Sequence, residues 1–413
     1  MAHKPLRIGV VDQASSGWTA AAIYSKMILR SLSSVSDEAN AEIYFLSSQT
    51  DPLTAPAKLI ELASADYLPG ERGIRRSLAL GDKLHAWRGE ARIRRLLKIP
   101  DASSPFSIAG KHGIDVLLPL LDVPPWPVAS RLVGWIPDFQ HVHLPEFFSA
   151  NELAKRNDTM NRLGRHSTLI MLSSHAAKAD FKSFCPQHVE KTRVLPFPSL
   201  LAFESLPEDP ESTRNKFRLP EKFALVANQF WAHKNHQVIA GAAAKLRNQG
   251  LTPTIVMTGL PADPRDTSNS NFSALLQKIA AAGLNGQIII LGQVPYGDLI
   301  NLMTMAALVI QPSRFEGWST IVQDSKALGR PVICSDIPVH REQAPDAIGF
   351  FPWDDADRLA ELIAANWEPL PAGPDRARQQ EALAREQEFA RQHARNLHEL
   401  CREANAIKSS GTF

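Results

Sequence analysis

Two acids, Glu316 and Asp324, flank seven residues of the stretch SRFEGWSTIVQDSKALGRPVICSD, 313 to 336. The apolar run before it, ALVIQP (307 to 312), reads as a strand, and SRFEGWS as the loop leaving its carboxyl end. The helix that follows is expected to open with Thr320 as N-cap, because Gln323 three residues on completes a capping box. Gly329 and Pro331 close it, and PVICSD resumes the sheet. A helix start offers unpaired N–H groups and partial positive charge, so a diphosphate could rest there. Glu316 would stand beside that anion and Asp324 about one turn inside the helix. Spacing alone favours a plainer alternative, a capped helix with two solvent-facing acids. His141 and His143, in WIPDFQHVHLPEFFS (135 to 149), could suggest a metal, but no cysteine or further acid cluster accompanies them.

The elements that must carry these groups repeat one rhythm twice. Short apolar, mostly β-branched runs alternate with longer segments of helical period, the pattern of parallel sheets covered by helices. In the first half the strands are LRIGVV (6 to 11), AEIYFL (41 to 46), DVLLPL (115 to 120), RLVGWI (131 to 136), STLIML (167 to 172) and TRVLPF (192 to 197). The second half restarts with FALVAN (223 to 228), then TIVMTG (254 to 259), QIIILG (287 to 292), ALVIQP and PVICSD. Between the halves, 198–222 is rich in Pro, Glu and Ser without a clear period and reads as the junction. The expectation is an α/β protein of two doubly wound, Rossmann-like domains, 1–197 and 223–370, facing a central cleft. A charged helical tail, 371–413, packs back across them. Ligands of such sheets bind beyond the carboxyl ends of strands.

A length of 413 residues also asks for two domains. With 44% hydrophobic and 21% charged residues the balance is that of a soluble globular protein. Lysine plus arginine number 45 against 43 acids, and a net charge of +2 gives no reason to expect nucleic-acid binding. Cys185, Cys334 and Cys401 are too scattered for a disulfide framework or zinc site, so a reducing cytoplasm is the expected setting. MAHKPLRIGVVDQ reads as a first strand rather than a signal peptide, and no apolar stretch is long enough for a spanning helix. No G-x-G-x-x-G follows the first strand, which argues against a nicotinamide dehydrogenase, and a P-loop phosphotransferase is excluded in the same way.

The opening stretch resembles the signature of glycosyltransferase family 4, the retaining enzymes of GT-B fold that use nucleotide sugars. Against its P-S-x-x-E-G-F-G-x-x-x-x-E-A-x-A-x-G-x-P-V pattern, Pro312, Ser313, Glu316, Gly317, Ala327, Gly329, Pro331 and Val332 match. Further segments fall in the family's order: SSGWTAAAIYSKMILRSL after the first strand, WIPDFQHVHLPEFFS, ANQFWAHKNHQVIAGAAAKL (227 to 246), and GQVPYGDLINLMTMAALVIQPS (292 to 313). The resemblance runs from Ile8 to about Leu362. It implies a sugar transferase in which Lys234, followed by Asn235, meets the diphosphate and Glu316 accepts from donor-sugar hydroxyls. Asp324 would hold the ribose, Val294 would lie near the base, and Gly317, Trp318, Ser319 and Thr320 would complete the donor loop. Asp138 matches the acid of the family's His-Asp loop while Pro137 stands at the histidine; His141 or His143 would then contact donor sugar or acceptor, the alternative being loop histidines bonded to backbone.

Three positions depart from the pattern. Asp324 replaces a glutamate, so its ribose contact needs closer approach or a bridging water. Asn228 stands six residues before Lys234 in place of an arginine, leaving the charge to Lys234 with Arg314 or backbone N–H groups. The first-domain loop keeps Gly17, with approach to phosphate at Ser16 and Gly17. In such enzymes the departing phosphate takes the acceptor proton, so neither metal nor cofactor is implied.

ERGIRRSLALGDKLHAWRGEARIRRLLKIP, 71 to 100, carries nine Lys or Arg against three acids, interleaved with Leu84, Trp87 and Ile93. It reads either as an ordinary basic surface helix or as a peripheral contact with anionic lipid, suiting a glycan or lipid-linked acceptor at the inner face of the cell membrane. Rival readings are another enzyme on this fold, such as an epimerase or sugar-phosphate synthase, and a non-catalytic partner subunit.

Overall fold

A computed structural model describes residues 4–13, 19–47, 57–61, 104–207, 209–266 and 268–407. The apolar runs form two wholly parallel sheets. The first contains β1 (Leu6–Val11), β2 (Ala41–Ser47), β3 (Lys58–Glu61), β4 (Val116–Leu120), β5 (Arg131–Ile136), β6 (Leu169–Leu172) and β7 (Thr192–Val194), in the order β3-β2-β1-β4-β5-β6-β7. The second contains β8 (Ala224–Ala227), β9 (Ile255–Thr258), β10 (Ile288–Gly292), β11 (Leu308–Gln311), β12 (Val332–Ser335) and β13 (Gly349–Phe351), in the order β10-β9-β8-β11-β12-β13. The short strands β3 and β13 are the two that the apolar pattern did not mark. β4, β8, β9, β11 and β12 are buried along their whole length because helices cover both faces, which is why they read as unbroken apolar runs.

Strand order fixes where a ligand can enter. It reverses between β1 and β4 in the first sheet and between β8 and β11 in the second. Crossovers leave to opposite sides at such points and open a crevice beyond the carboxyl ends. The segments that follow β8 and β11 carry Asn228, Lys234 and Glu316, so chain order alone brings these distant residues to one rim.

The segment between the sheets is more regular than its composition suggests. Ser199 caps a 3-10 turn, Leu200–Ala202, and Asp209 caps a helix, Pro210–Phe217. That helix is tied to the second domain, with Thr213 Oγ1 donating to Asp298 at 3.0 Å and Lys216 bridging the same carboxylate at 2.6 Å. The long helix Arg376–Ala406 then returns across the molecule. Its far end buries Leu397, Leu400, Cys401 and Ala404 in the core of the first domain. Apolar burial of this kind holds a helix whose composition alone would not.

The two domains touch directly. Gly317 lies so close to the first domain that a Cβ there would stand 1.9 Å from the Pro137 carbonyl oxygen. Trp318 Nε1 donates to the Phe197 carbonyl at 3.1 Å. Across the same seam the Glu342 carboxylate accepts from the His175 N–H (2.8 and 2.9 Å) and the Ala176 N–H (3.2 Å). It thus caps the first-domain helix His175–Phe184, where carboxylate charge and helix polarity match.

Candidate active site between the domains

The polar centre is built where β8 and β11 end. Gln311, the last residue of β11 and wholly buried, accepts from Asn228 Nδ2 and donates through Nε2 to Glu316 Oε1 (3.1 Å) and Ser319 Oγ (2.7 Å). Lys234 Nζ reaches the same Glu316 oxygen at 2.6 Å, and the two side chains are only 16% and 9% exposed. Asn235, at φ 60°, ends the turn carrying Lys234, and its amide donates to the carbonyls of Pro312 and Trp353 at 3.0 and 2.6 Å. This left-handed conformation suits asparagine, and the paired carbonyls hold the lysine loop against the glutamate loop.

The helix beside this centre, Thr320–Ala327, is capped by Ser319 rather than Thr320. Ser319 Oγ accepts from the Val322 N–H at 3.3 Å, and its own N–H donates to Gln343 Oε1 at 3.0 Å. The expected capping box fails because Gln323 is drawn away by a stronger partner, donating to both oxygens of Glu386 at 2.9 Å.

Asp324 is buried, not solvent-facing, and Ser199 Oγ donates to it at 2.5 Å. Burial pushes its carboxyl up to about 7; the Ser199 hydrogen bond opposes that, and nearby Glu386 and Glu204 reinforce it. Val294 follows β10, partly buried against the apolar cluster of the second domain.

On the first-domain side a cavity of about 480 Å³ opens against Glu316 and Gly317, with Asp138, His143, Glu146, Asp180, Arg314 and Trp353 among its walls. Asp138 accepts from the Gln140 N–H at 2.9 Å, with Arg156 at 3.9 Å. His141 turns inward instead: it is 3% exposed, its Nε2 meets Asn157 Oδ1 at 3.1 Å, and Phe139, Phe148 and Phe184 surround the ring. Burial and the nearby Arg156 lower its pKa. His143 is the imidazole on the wall, stacked on Phe315 at 5.0 Å with Nε2 2.8 Å from Asp180 Oδ1. A helical turn, Gln140–His143, separates the two rings, an orientation that sequence spacing does not reveal. Arg314 also faces this cavity, paired with Glu146 at 3.2 Å and lying over the Trp353 ring at 4.6 Å. Ser16 and Gly17 lie outside the described residues.

His233 and His236 flank Lys234 but are buried. His233 Nδ1 lies 3.3 Å from Arg265 Nη2, while His236 stacks on Phe230 at 4.3 Å. The sequence marked neither Gln311 nor Asp180. For Gln311 a signal was present: a lone amide at the end of an otherwise apolar strand.

Residues 208–369 match the family model of glycosyl transferases, group 1. The second domain is thus similar to the group 1 glycosyl transferases. The Lys234–Glu316 centre and the helix Thr320–Ala327 both lie within the matched stretch. No curated protein matches the chain. Among solved structures it is similar to a glycosyltransferase from Rickettsia africae, with 15% identity and a TM-score of 0.59 over 97% of each chain. It is also similar to HepE from Anabaena in complex with UDP-glucose, with 16% identity and a TM-score of 0.60 over 96% of this chain and 98% of that one. Sucrose-phosphate synthase from Thermosynechococcus elongatus gives 16% identity and a TM-score of 0.59 over 97% and 94%. At such identities the likeness carries the fold, and the two domains form a GT-B architecture. Among the described residues no helix is long and apolar enough to cross a membrane.

Proposed function

We propose that the protein is a family 4 type glycosyltransferase. It moves a sugar from a nucleoside-diphosphate donor to a hydroxyl of a glycan or lipid-linked acceptor, with retention at the anomeric carbon. The observation that carries this reading is the Lys234–Glu316 pair, at the strand-order reversal of a domain similar to group 1 glycosyl transferases, with Glu316 on the wall of a cavity shared with the other domain. Cleavage of the donor builds negative charge on the leaving phosphate, and stabilising it needs fixed positive potential. Lys234 supplies a charge, and the N–H groups of Thr320 and Ile321 at the helix start supply oriented donors.

Glu316 accepts from donor-sugar hydroxyls and orients the ring. Asp324 faces the ribose, Val294 the base, and the leaving phosphate takes the acceptor proton on the same face of the sugar. The acceptor enters through the cavity lined by Asp138 and His143, and His143 replaces His141 as the imidazole that meets it. Arg314 serves this acceptor side and not the diphosphate. The similarity to HepE, whose structure is a complex with UDP-glucose, supports a nucleotide sugar as donor class. No metal is assigned to the reaction, and turnover is expected to persist in excess chelator.

A panel of UDP, GDP, ADP, dTDP and CDP in a thermal-shift assay tests the donor, followed by mass spectrometry of the protein with the corresponding nucleotide sugars. Stabilisation by at least one diphosphate and release of its sugar are expected. Stabilisation by none favours a non-catalytic partner subunit, a reading to which the Ser199 contact on Asp324 lends weight.

A further inference from the structure

The helix Arg376–Ala406 does more than tie the domains. Glu386, 5% exposed, accepts from the Ser199 N–H at 2.6 Å and from Gln323 Nε2 at 2.9 Å on each oxygen. Gln323 Oε1 accepts from Gln343 Nε2 at 3.3 Å. Gln343 clamps the backbone of Ser319, taking its N–H at 3.0 Å and donating to its carbonyl at 2.7 Å. Ser319 Oγ receives Gln311 Nε2, and that same amide donates to Glu316. Glu386, Gln323, Gln343, Ser319 and Gln311 are each at most 5% exposed, so water does not compete for these bonds.

The direction of the chain is set at its end. Burial raises the Glu386 pKa, and the hydrogen bonds from the Ser199 N–H and Gln323 oppose that; in its ionised form the carboxylate only accepts, which turns the Gln323 NH2 to Glu386 and its carbonyl to Gln343. The same orientation of Gln343 is demanded independently by the Ser319 N–H and carbonyl. Both ends agree, which is the condition for a buried polar network to hold one geometry.

We propose that Glu386 is a positioning residue for the donor end of the site, acting through Gln323, Gln343, Ser319 and Gln311 to fix the loop that carries Glu316. Its catalytic consequence rests on the reading of Glu316 as a donor-sugar contact, whereas the relay is a property of the fold.

Two measurements on the full chain separate these. Hydrogen exchange of wild type, Glu386→Ala and Gln323→Leu tests the relay without any ligand. Exchange over 308–324 is expected to rise in both variants, with 131–172 unchanged. A rise confined to 198–203 and 380–390 would make Glu386 a mere anchor of its helix and overturn the proposal. Turnover of the nucleotide sugar selected by the diphosphate panel is then measured per folded molecule at saturation. Each single variant should fall about tenfold and the double variant no further, because residues on one network are non-additive. Glu386→Gln, which keeps one accepting oxygen, should recover most of that loss. Turnover unchanged in the single variants, or additive losses, would refute the positioning role. Absence of any diphosphate binding in wild type would instead sink the donor reading, and the exchange result would still decide the relay.

Discussion

Lys234 Nζ and Glu316 Oε1 lie 2.6 Å apart in a seam that excludes most solvent. On the proposed reading, charge for a diphosphate and recognition for a sugar are held in one pair, each balancing the other. A donor that engages both ends must draw them apart, and removing either end has a distinct signature.

Glu316→Gln keeps the shape and removes the charge. Transfer should fall about 100-fold, the scale of losing one polar contact at a reacting centre. Diphosphate affinity by calorimetry should hold or tighten, because Lys234 is released from its acid. Equal loss of both would place Glu316 on the nucleotide instead.

Lys234→Ala leaves a mostly buried carboxylate without its partner. Unfolding free energy by urea titration should drop by about 3 kcal/mol, as for other broken buried pairs. Adding Glu316→Gln should restore most of it, and a double variant as weak as the lysine variant would show that packing, not charge, was lost.

Asp324 gives a pH signature. Its pKa is raised to about 7 in the folded chain from the ordinary 3.8, so between those values the folded state holds a proton that the unfolded state has released. The contribution is fully present below the unfolded value and is lost as pH rises through about 7. Buried His236 and His393, lowered to about 3 from 6.5 by burial, act oppositely and cost stability as pH falls below 6.5. Asp324→Asn removes only the first effect. Melting temperatures at pH 5.5 and pH 8 should therefore show the variant gaining on wild type at the higher pH; an equal offset at both would show that the carboxyl does not titrate there.

Gly317→Ala puts a methyl group where the Pro137 carbonyl already stands, 1.9 Å away. The clash should part the domains and lower the melting temperature by several degrees, with a larger radius of gyration in X-ray scattering. An unchanged radius would mean that the loop yields locally.

The basic stretch 71 to 100 lies outside the described residues. Its charge predicts sedimentation with liposomes that increases with anionic lipid content and weakens with salt. Binding indifferent to lipid charge would remove the membrane reading.

The sequence by itself determined the two parallel sheets and the loops bearing Lys234 and Glu316. Apolar runs buried on both faces and helical periods are local patterns, and each strand's carboxyl end is visible in the run that precedes it. The helix start was also legible, but its cap was not. Ser319 and Thr320 are chemically alike, and the choice turned on Gln323, whose partner Glu386 lies 63 residues away. The same limit governed the histidines, where a single helical turn put His143 on the cavity wall and His141 among phenylalanines. Asp324, read from spacing as a surface acid and from the family resemblance as a ribose ligand, is buried against Ser199 at the domain junction. Chain pattern fixes which residues reach the rim. Which of them are buried together, and so which hydrogen bonds and charges can balance, is decided only when the two domains and the returning helix close around them.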